Sequence, residues 1–364
     1  MSAPPDGIAP PTGSRREVFL LGDRAVTVDD IVDAAEFRGE LGEARGRLLL
    51  QGPADEPDRE TLQAMSDEFR YDRDLISAEE TERWLEARDL TLDDLIGHLV
   101  RRHRLASSRG KNPRRGNAKA PAPTGLRGEL GEALRAELWL SGDLERMARD
   151  LGWRLVARFA SPEGLRPSGE GIDAERESFL RRCGLGPRTL EAWLGGVQRD
   201  AAWLEEMVAT EAAYRATCAA VLTAERLSRE TLRSKLLLTR FEVETLEVDT
   251  LDAAREARVC VGTDGRSMER LARTARYPYE RFHAIFEDLP ESWQRPLLAA
   301  APGDVLPPID RGDGFQVCRV LVRHDPDLEA EDIRTRIARR ILESHFSDLG
   351  ARCLHWIIAP EWGA

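Results

Sequence analysis

An α+β fold, mostly helical with one small antiparallel sheet, is what this sequence predicts, and three stretches carry the prediction. The runs Val305-Leu306-Pro307-Pro308-Ile309 and Phe315-Gln316-Val317-Cys318-Arg319-Val320-Leu321-Val322 are rich in strand formers. The turn cluster Asp310-Arg311-Gly312-Asp313-Gly314 joins them, which is the pattern of a hairpin. Upstream, Arg240–Val248 alternates β-branched and aromatic residues with charges, the period of a half-buried strand. Nearly everything else carries apolar residues at helical spacing. Four strands are therefore expected in one sheet: Arg240–Val248, Arg281–Phe286, Val305–Ile309 and Phe315–Val322. Two helices, Leu251–Val261 and Ser267–Ala275, lie between the first strand and the second.

Taken in order, residues 1–16 are rich in Pro, Gly and Ser and are expected to be disordered. A short strand and turn follow over Glu17–Thr27. Thr27 then reads as an N-cap, with Asp29 and Asp30 in the first turn where the helix dipole favours them. Helical patterning continues to about Leu50, and Gln51–Asp58 is a Pro/Gly break. Thr61–Leu99 holds two or three amphipathic helices. Ser77 and Glu80 form a capping box before the helix bearing Trp84 and Leu85, and Thr91 caps the next. These elements make a first helical region, 17–106. Ser107–Thr124, with no apolar periodicity, reads as a flexible basic linker.

A second helical region, 125–238, repeats landmarks of the first: Phe69, Leu75, Trp84 and Leu95 answer to Phe179, Leu185, Trp193 and Leu204 at nearly the same intervals. Ala201–Leu238 is a long helical stretch in which Ser228 starts a fresh turn. The sheet-forming region occupies 239–324. After it, Asp325-Pro326-Asp327 punctuates the chain. A last helix then carries Ile333, Ile337 and Ile341 on one stripe, and Cys353–Ile358 forms a terminal strand or apolar tail. Residues 325–364 are expected to pack back on the helical part.

The 364 residues are 41% hydrophobic and 32% charged, with a formal net charge of -12. That balance favours a neutral or basic partner and makes nucleic acid an unlikely one, the basic linker notwithstanding. No run approaches the ~20 apolar residues of a membrane span, and Met1–Gly7 lacks the features of a secretory signal. Five cysteines, widely spread and without CxxC spacing, read as reduced thiols, so the cytoplasm is the expected compartment. The six histidines form no HExxH or paired Cys/His pattern, and no P-loop, GxGxxG or GxSxG is present. No metal and no cofactor is expected. Trp84, Trp193 and Trp203 read as helix-packing residues, and Cys318 as a small core residue.

The strand order, together with Gly303-Asp304-Val305-Leu306-Pro307-Pro308-Ile309 and Gly314-Phe315-Gln316-Val317, resembles the parvulin-type prolyl isomerase domain carried by SurA-like chaperones. The helical phrases Phe69-Arg70, Leu75-Ile76-Ser77 and Leu90-Thr91-Leu92-Asp93-Asp94-Leu95 resemble the helical part of the same proteins. More narrowly, they resemble isomerase-related proteins encoded with bacterial peptide-maturation systems. The resemblance implies a mostly helical SurA-like architecture around a small parvulin-like domain.

The family's catalytic histidines are missing, however. The first strand has none, Gln316 stands at the second position, and Tyr277–Phe286 replaces the Gly-Gly-x-Leu-Gly loop. Isomerisation must lower a barrier of about 18–20 kcal/mol, which needs a placed polar network. The resemblance then implies a peptide groove without its chemistry. That is a chaperone-like binder of a precursor or other extended peptide, with a peptide-modifying enzyme as a second partner. Phe315, Leu289, Leu297, Gln316 and Phe282 are its expected contacts. The alternative is an active isomerase with unorthodox residues, in which His283 acts from the replaced loop.

Overall fold

The computed structural model describes residues 16–49, 57–109, 129–160 and 166–358. The expectations for the N-terminal tail and for most of the basic linker lie outside these residues, as does most of the Gln51–Asp58 break. The chain falls into two compact units. One comprises the chain up to Ala220 together with His345 onward, and the other runs from Val221 to Ser344.

The first unit opens with β1 (Glu17–Leu21) and β2 (Arg24–Thr27), turned at Gly22 in the left-handed region. Thr27 caps α1 (Val28–Arg38) in a capping box: Asp30 N–H donates to Thr27 Oγ1 at 3.3 Å, and Thr27 N–H donates to Asp30 Oδ2 at 3.0 Å. The helical pattern expected to reach Leu50 is broken. Gly39, at φ +74°, ends α1 and a separate α2 covers Gly42–Leu48. Then come α3 (Arg59–Tyr71), α4 (Ala78–Glu86), α5 (Leu92–Arg109), α6 (Glu129–Leu140), α7 (Asp143–Phe159), α8 (Gly169–Cys183), α9 (Pro187–Val197) and α10 (Ala201–Val221).

All of these helices except α10's last turns contribute to one continuous core running from Val18 to Val208, so the two helical stretches are not separate bodies. The unit closes with β7 (Leu354–Trp356), which pairs antiparallel with β1 in a sheet ordered β2-β1-β7. Phe19 of β1 is fully buried, 4.9 Å from the Trp356 ring.

Within this unit, α3–α4–α5 and α8–α9–α10 share their local chemistry. Phe69 meets Trp84 edge-on at 5.6 Å, and Phe179 meets Trp193 at 5.2 Å. After α3 and α8 the chain passes through left-handed Asp74 and Gly184. The following residues, Leu75 and Leu185, donate back to the carbonyls of Arg70 and Leu180. After α4 and α9 the left-handed residues are Asp89 and Gln198, with Leu90 donating to Leu85 and Arg199 to Leu194. The tryptophans are helix-packing residues, Trp203 among them, with its ring 6.3 Å from Trp193.

At the centre of the unit sits a carboxylate. Glu137 is fully buried, with Arg47 Nε at 2.8 Å, His98 Nδ1 at 3.1 Å and Arg101 Nη2 at 2.9 Å. Burial pushes its carboxyl up, but the bonds and charges of His98 and Arg101 together outweigh that and hold it below the ordinary range.

The second unit starts with α11 (Ala224–Arg233), capped by Thr223 rather than started at Ser228, because the Thr223 hydroxyl takes the Arg226 N–H. Leu227 packs with Leu238, Ile285, Ile333 and Ile337, which is why the unit boundary falls before this helix and not after Leu238. The sheet is four-stranded and antiparallel, ordered β4-β3-β6-β5. Its strands are β3 (Arg240–Val248), β4 (Tyr279–Ile285), β5 (Ile309–Asp310) and β6 (Phe315–His324).

The fourth strand is shorter than expected. Pro307 and Pro308 have no N–H to give the ladder, so Val305–Ile309 shrinks to a bridge at Val305 and the pair Ile309–Asp310. Strand β4 ends a residue early, since Phe286–Asp288 is a 3-10 turn. Helices α12 (Leu251–Gly262) and α13 (Met268–Ala275) link β3 to β4, and α14 (Glu291–Ala299) follows the 3-10 turn. Finally α15 (Glu331–Cys353) buries Ile333 and Ile337 here and, through Phe346, continues into the first unit.

Candidate functional site

The register of β3, β4 and β6 fixes what each sheet face can do. On one face lie Phe241, Val243, Cys318 and Val320, covered by Trp293 and Leu297 of α14 together with Phe286, Leu306 and Ile309. On the other lie Leu246, Val248 and Val317 under Ala254, Ala257 and Val261 of α12 and Met268 and Ala272 of α13. Beyond that apolar half, the second face turns polar. Glu244, 5% exposed, receives Arg319 Nε at 2.5 Å and the Tyr279 hydroxyl at 2.9 Å. Next to it, Arg281 pairs with Glu242, and this bond holds the Glu242 carboxyl below its ordinary range.

Strand residues alternate sides, and this divides the five expected contacts. Phe282, Gln316, Leu289 and Leu297 belong to the α14 side, whereas Phe315 packs against the cluster beneath α12 and α13. The structure thus does not gather the five at one place. Leu297 is wholly buried, so the peptide-contacting role expected of it is replaced by a packing role. Gln316 is 9% exposed, opposite Glu247 on one side and Ile309 on the other. Only Phe282 and Leu289 remain partly open on this side, with the Phe282 ring 6.0 Å from Trp293.

The residues around Gln316 on its face are Glu247, Thr245 and Cys318, with no imidazole among them. Burial pushes the Cys318 thiol up to about 12, far from a ready thiolate. His283, proposed as a replacement base, is exposed on β4 opposite Glu242. Glu242 and Glu247 lie five residues apart on β3, so His283 stands roughly 16 Å along the strand from Gln316's row. It also lies on the other face.

Two features were missed in the sequence. The first is the outer edge of β4. Phe286 N–H donates to Thr239 O at 2.9 Å and Glu247 N–H to Pro278 O at 3.0 Å, which makes the even-numbered residues of β4 the ones bonded to β3. The main-chain groups of Tyr279, Arg281 and His283 consequently face outward. Glu280, Arg281 and His283 are exposed, and β4 is the last strand on its side of the sheet. Alternation in Tyr279–Ile285 was a readable signal for a strand, but edge position is a property of the whole sheet.

The second feature is a cleft of about 340 Å³ at the ends of β3 and β6, with Tyr277, Pro278, Asp249, Asp313 and Phe315 among its walls. Gly314 allows this wall to close on β3: a Cβ there would lie 2.9 Å from the Val248 carbonyl oxygen. Among the described residues no group of His, Cys, Asp and Glu side chains could hold a metal ion, and no helix is long and apolar enough to cross a membrane.

No family model matches the sequence, and no curated protein does. Among solved structures, the chain is similar to the peptidylprolyl isomerase PrsA of Bacillus cereus, with 10% identity and a TM-score of 0.36 over 60% of this chain and 85% of that one. It is similar to PrsA of Bacillus anthracis at 11% identity and a TM-score of 0.28, covering 57% and 93%. A third similarity is to a structure of two SurA-like chaperones, PEB4 and Cj1289, of Campylobacter jejuni, at 8% identity and a TM-score of 0.20, covering 63% and 89%.

Proposed function

We propose that the second unit is a chaperone-like peptide binder that takes an extended chain along the outer edge of β4 and has lost prolyl isomerase chemistry. The observation that carries this reading is the open edge itself. Three residues aim main-chain donors and acceptors away from the sheet, so an added strand gains a hydrogen-bonded ladder. Phe282, with Trp293 and Leu289 behind it, offers an apolar strip for alternate side chains on one side of that strand. The loss of chemistry is supported by the surroundings of Gln316, which hold no imidazole and whose one thiol, Cys318, is pushed far from ionisation. The finer parts of the proposal, a precursor peptide presented to a peptide-modifying enzyme, rest on the sequence resemblance, and its placement in the cytoplasm rests on the reduced cysteines.

The test is calorimetry with extended peptides on the wild-type chain and on His283→Pro. The His283 N–H points outward, so proline there deletes an edge donor while leaving the ladder to β3 intact. Binding by the wild type and its loss in a folded His283→Pro variant is the expected result. Equal affinity in both proteins places the peptide elsewhere, and a protease-coupled assay showing isomerase rates well above background overturns the loss of chemistry.

A further inference from the structure

The cleft beside β4 carries an inference that rests on the peptide-binding reading and sharpens it. Tyr277 and Pro278, which line the cleft, are the residues directly before β4, so a strand added along the β4 edge runs toward it. The volume of about 340 Å³ falls in the range of small-ligand sites, enough for one large side chain. Two half-buried rings, Tyr277 and Phe315, are among its lining.

The charges on its walls are unequal. Arg311 is neutralised by Glu247. Asp249, Asp313 and Arg276 line the cleft and form no ion pair among the described residues, and both carboxylates are exposed. An unpaired negative charge is thus left over beside aromatic faces.

We propose that this cleft receives an arginine side chain of the bound peptide. A guanidinium is flat and can stack on an aromatic ring, while its edge donates to carboxylates, and it is weakly hydrated for a cation. A lysine ammonium matches the charge but not the flat shape. The chain's net charge of -12 favours the approach of a basic peptide over an acidic one.

The experiment uses the full chain and two fluorescein-labelled peptides about ten residues long, rich in Val, Thr and Ser. They are identical except that one carries arginine where its twin carries citrulline, which keeps the shape and removes the charge. Fluorescence anisotropy at low salt should give about tenfold tighter binding for the arginine peptide. In the double variant Asp249→Asn/Asp313→Asn, shown to be folded by circular dichroism, the two peptides should bind alike, at the citrulline peptide's wild-type affinity. Phe315→Ala should narrow the preference, and raised salt should narrow it in the wild type. Equal binding of the twins to the wild type, or a preference that survives in the double variant, overturns the arginine cleft and leaves the edge-strand reading standing. Binding of neither peptide overturns both.

Discussion

The two faces of the four-stranded sheet are made by the same three long strands, yet over the inner strands β3 and β6 one is sealed and the other is only half covered. On the α14 side, Cys318, Val320, Phe241 and Val243 are all fully buried beneath a lid of aromatic and aliphatic groups. On the other side, α12 and α13 stop after Leu246, Val248 and Val317, and the remaining half carries Glu242, Glu244, Arg281 and Arg319. The difference lies in what the strands alternate with. A strand whose second set of side chains is apolar demands a helix over it, whereas one whose second set is charged can face water or a ligand. Stability is thus concentrated on one face, and adaptability on the margin of the other.

Substitutions sharpen this contrast, starting with the one of largest effect. Leu297→Ala on the sealed face should cost about 2–5 kcal/mol, since a fully buried leucine leaves a cavity that a rigid lid cannot fill. Chemical denaturation reads it, and a cost below about 1 kcal/mol would show the face to be loosely packed. On the polar half, Arg319→Ala strands a buried Glu244 with only the Tyr279 hydroxyl. A loss of about 1–3 kcal/mol is expected, less than for a fully buried pair because the arginine is partly in water. The double variant Arg319→Leu/Glu244→Leu should recover most of it.

The next effect is pH-dependent. Burial pushes the Cys318 thiol from its ordinary 9.0 up to about 12 in the folded chain, so above about pH 9 the unfolded chain loses a proton that the folded one keeps. Stability is intact below that pH and falls above it, by about 1.4 kcal/mol for each unit towards 12. A Cys318→Ala variant should show a shallower decline between pH 9 and 11 than the wild type. The smallest change in stability is expected from Phe315→Ala, about 1 kcal/mol for a half-buried ring at the margin. If it matches Leu297→Ala instead, Phe315 is core and the contrast between the faces dissolves.

Much of this was legible in the residues. Arg240–Val248 and the turn Asp310–Gly314 lie where their pattern puts them, because alternation and left-handed glycine at Gly312 are local signals. The helix-packing role of the tryptophans was readable too, from apolar residues at helical spacing, though not which ring each one meets on a neighbouring helix. The site was less so. Adjacent residues on a strand point to opposite faces, so Phe315 and Gln316 could not share a surface, and that signal stood in the sequence. What the residues do not encode locally is which helix covers which face, or that β4 lies outermost. Those follow from tertiary packing, and they decide why Leu297 is core while Tyr277 and Asp249 line a cleft.

The pairing of β1 with β7 has a consequence for synthesis. Glu17–Leu21 is made before the second unit, and its partner Leu354–Trp356 only after the whole of it. Until then one edge of β1 is open and the fully buried Phe19 has no Trp356 against it. The interposed unit, whose sheet pairs strands closer in sequence, has time to fold on the emerging chain while the enclosing one waits. An elongating chain stalled between Ser344 and Leu354 therefore carries an incomplete helical unit and a complete insert. Strand β7, made after the insert, is the one that ends the exposure of β1 to proteases and to other unpaired edges.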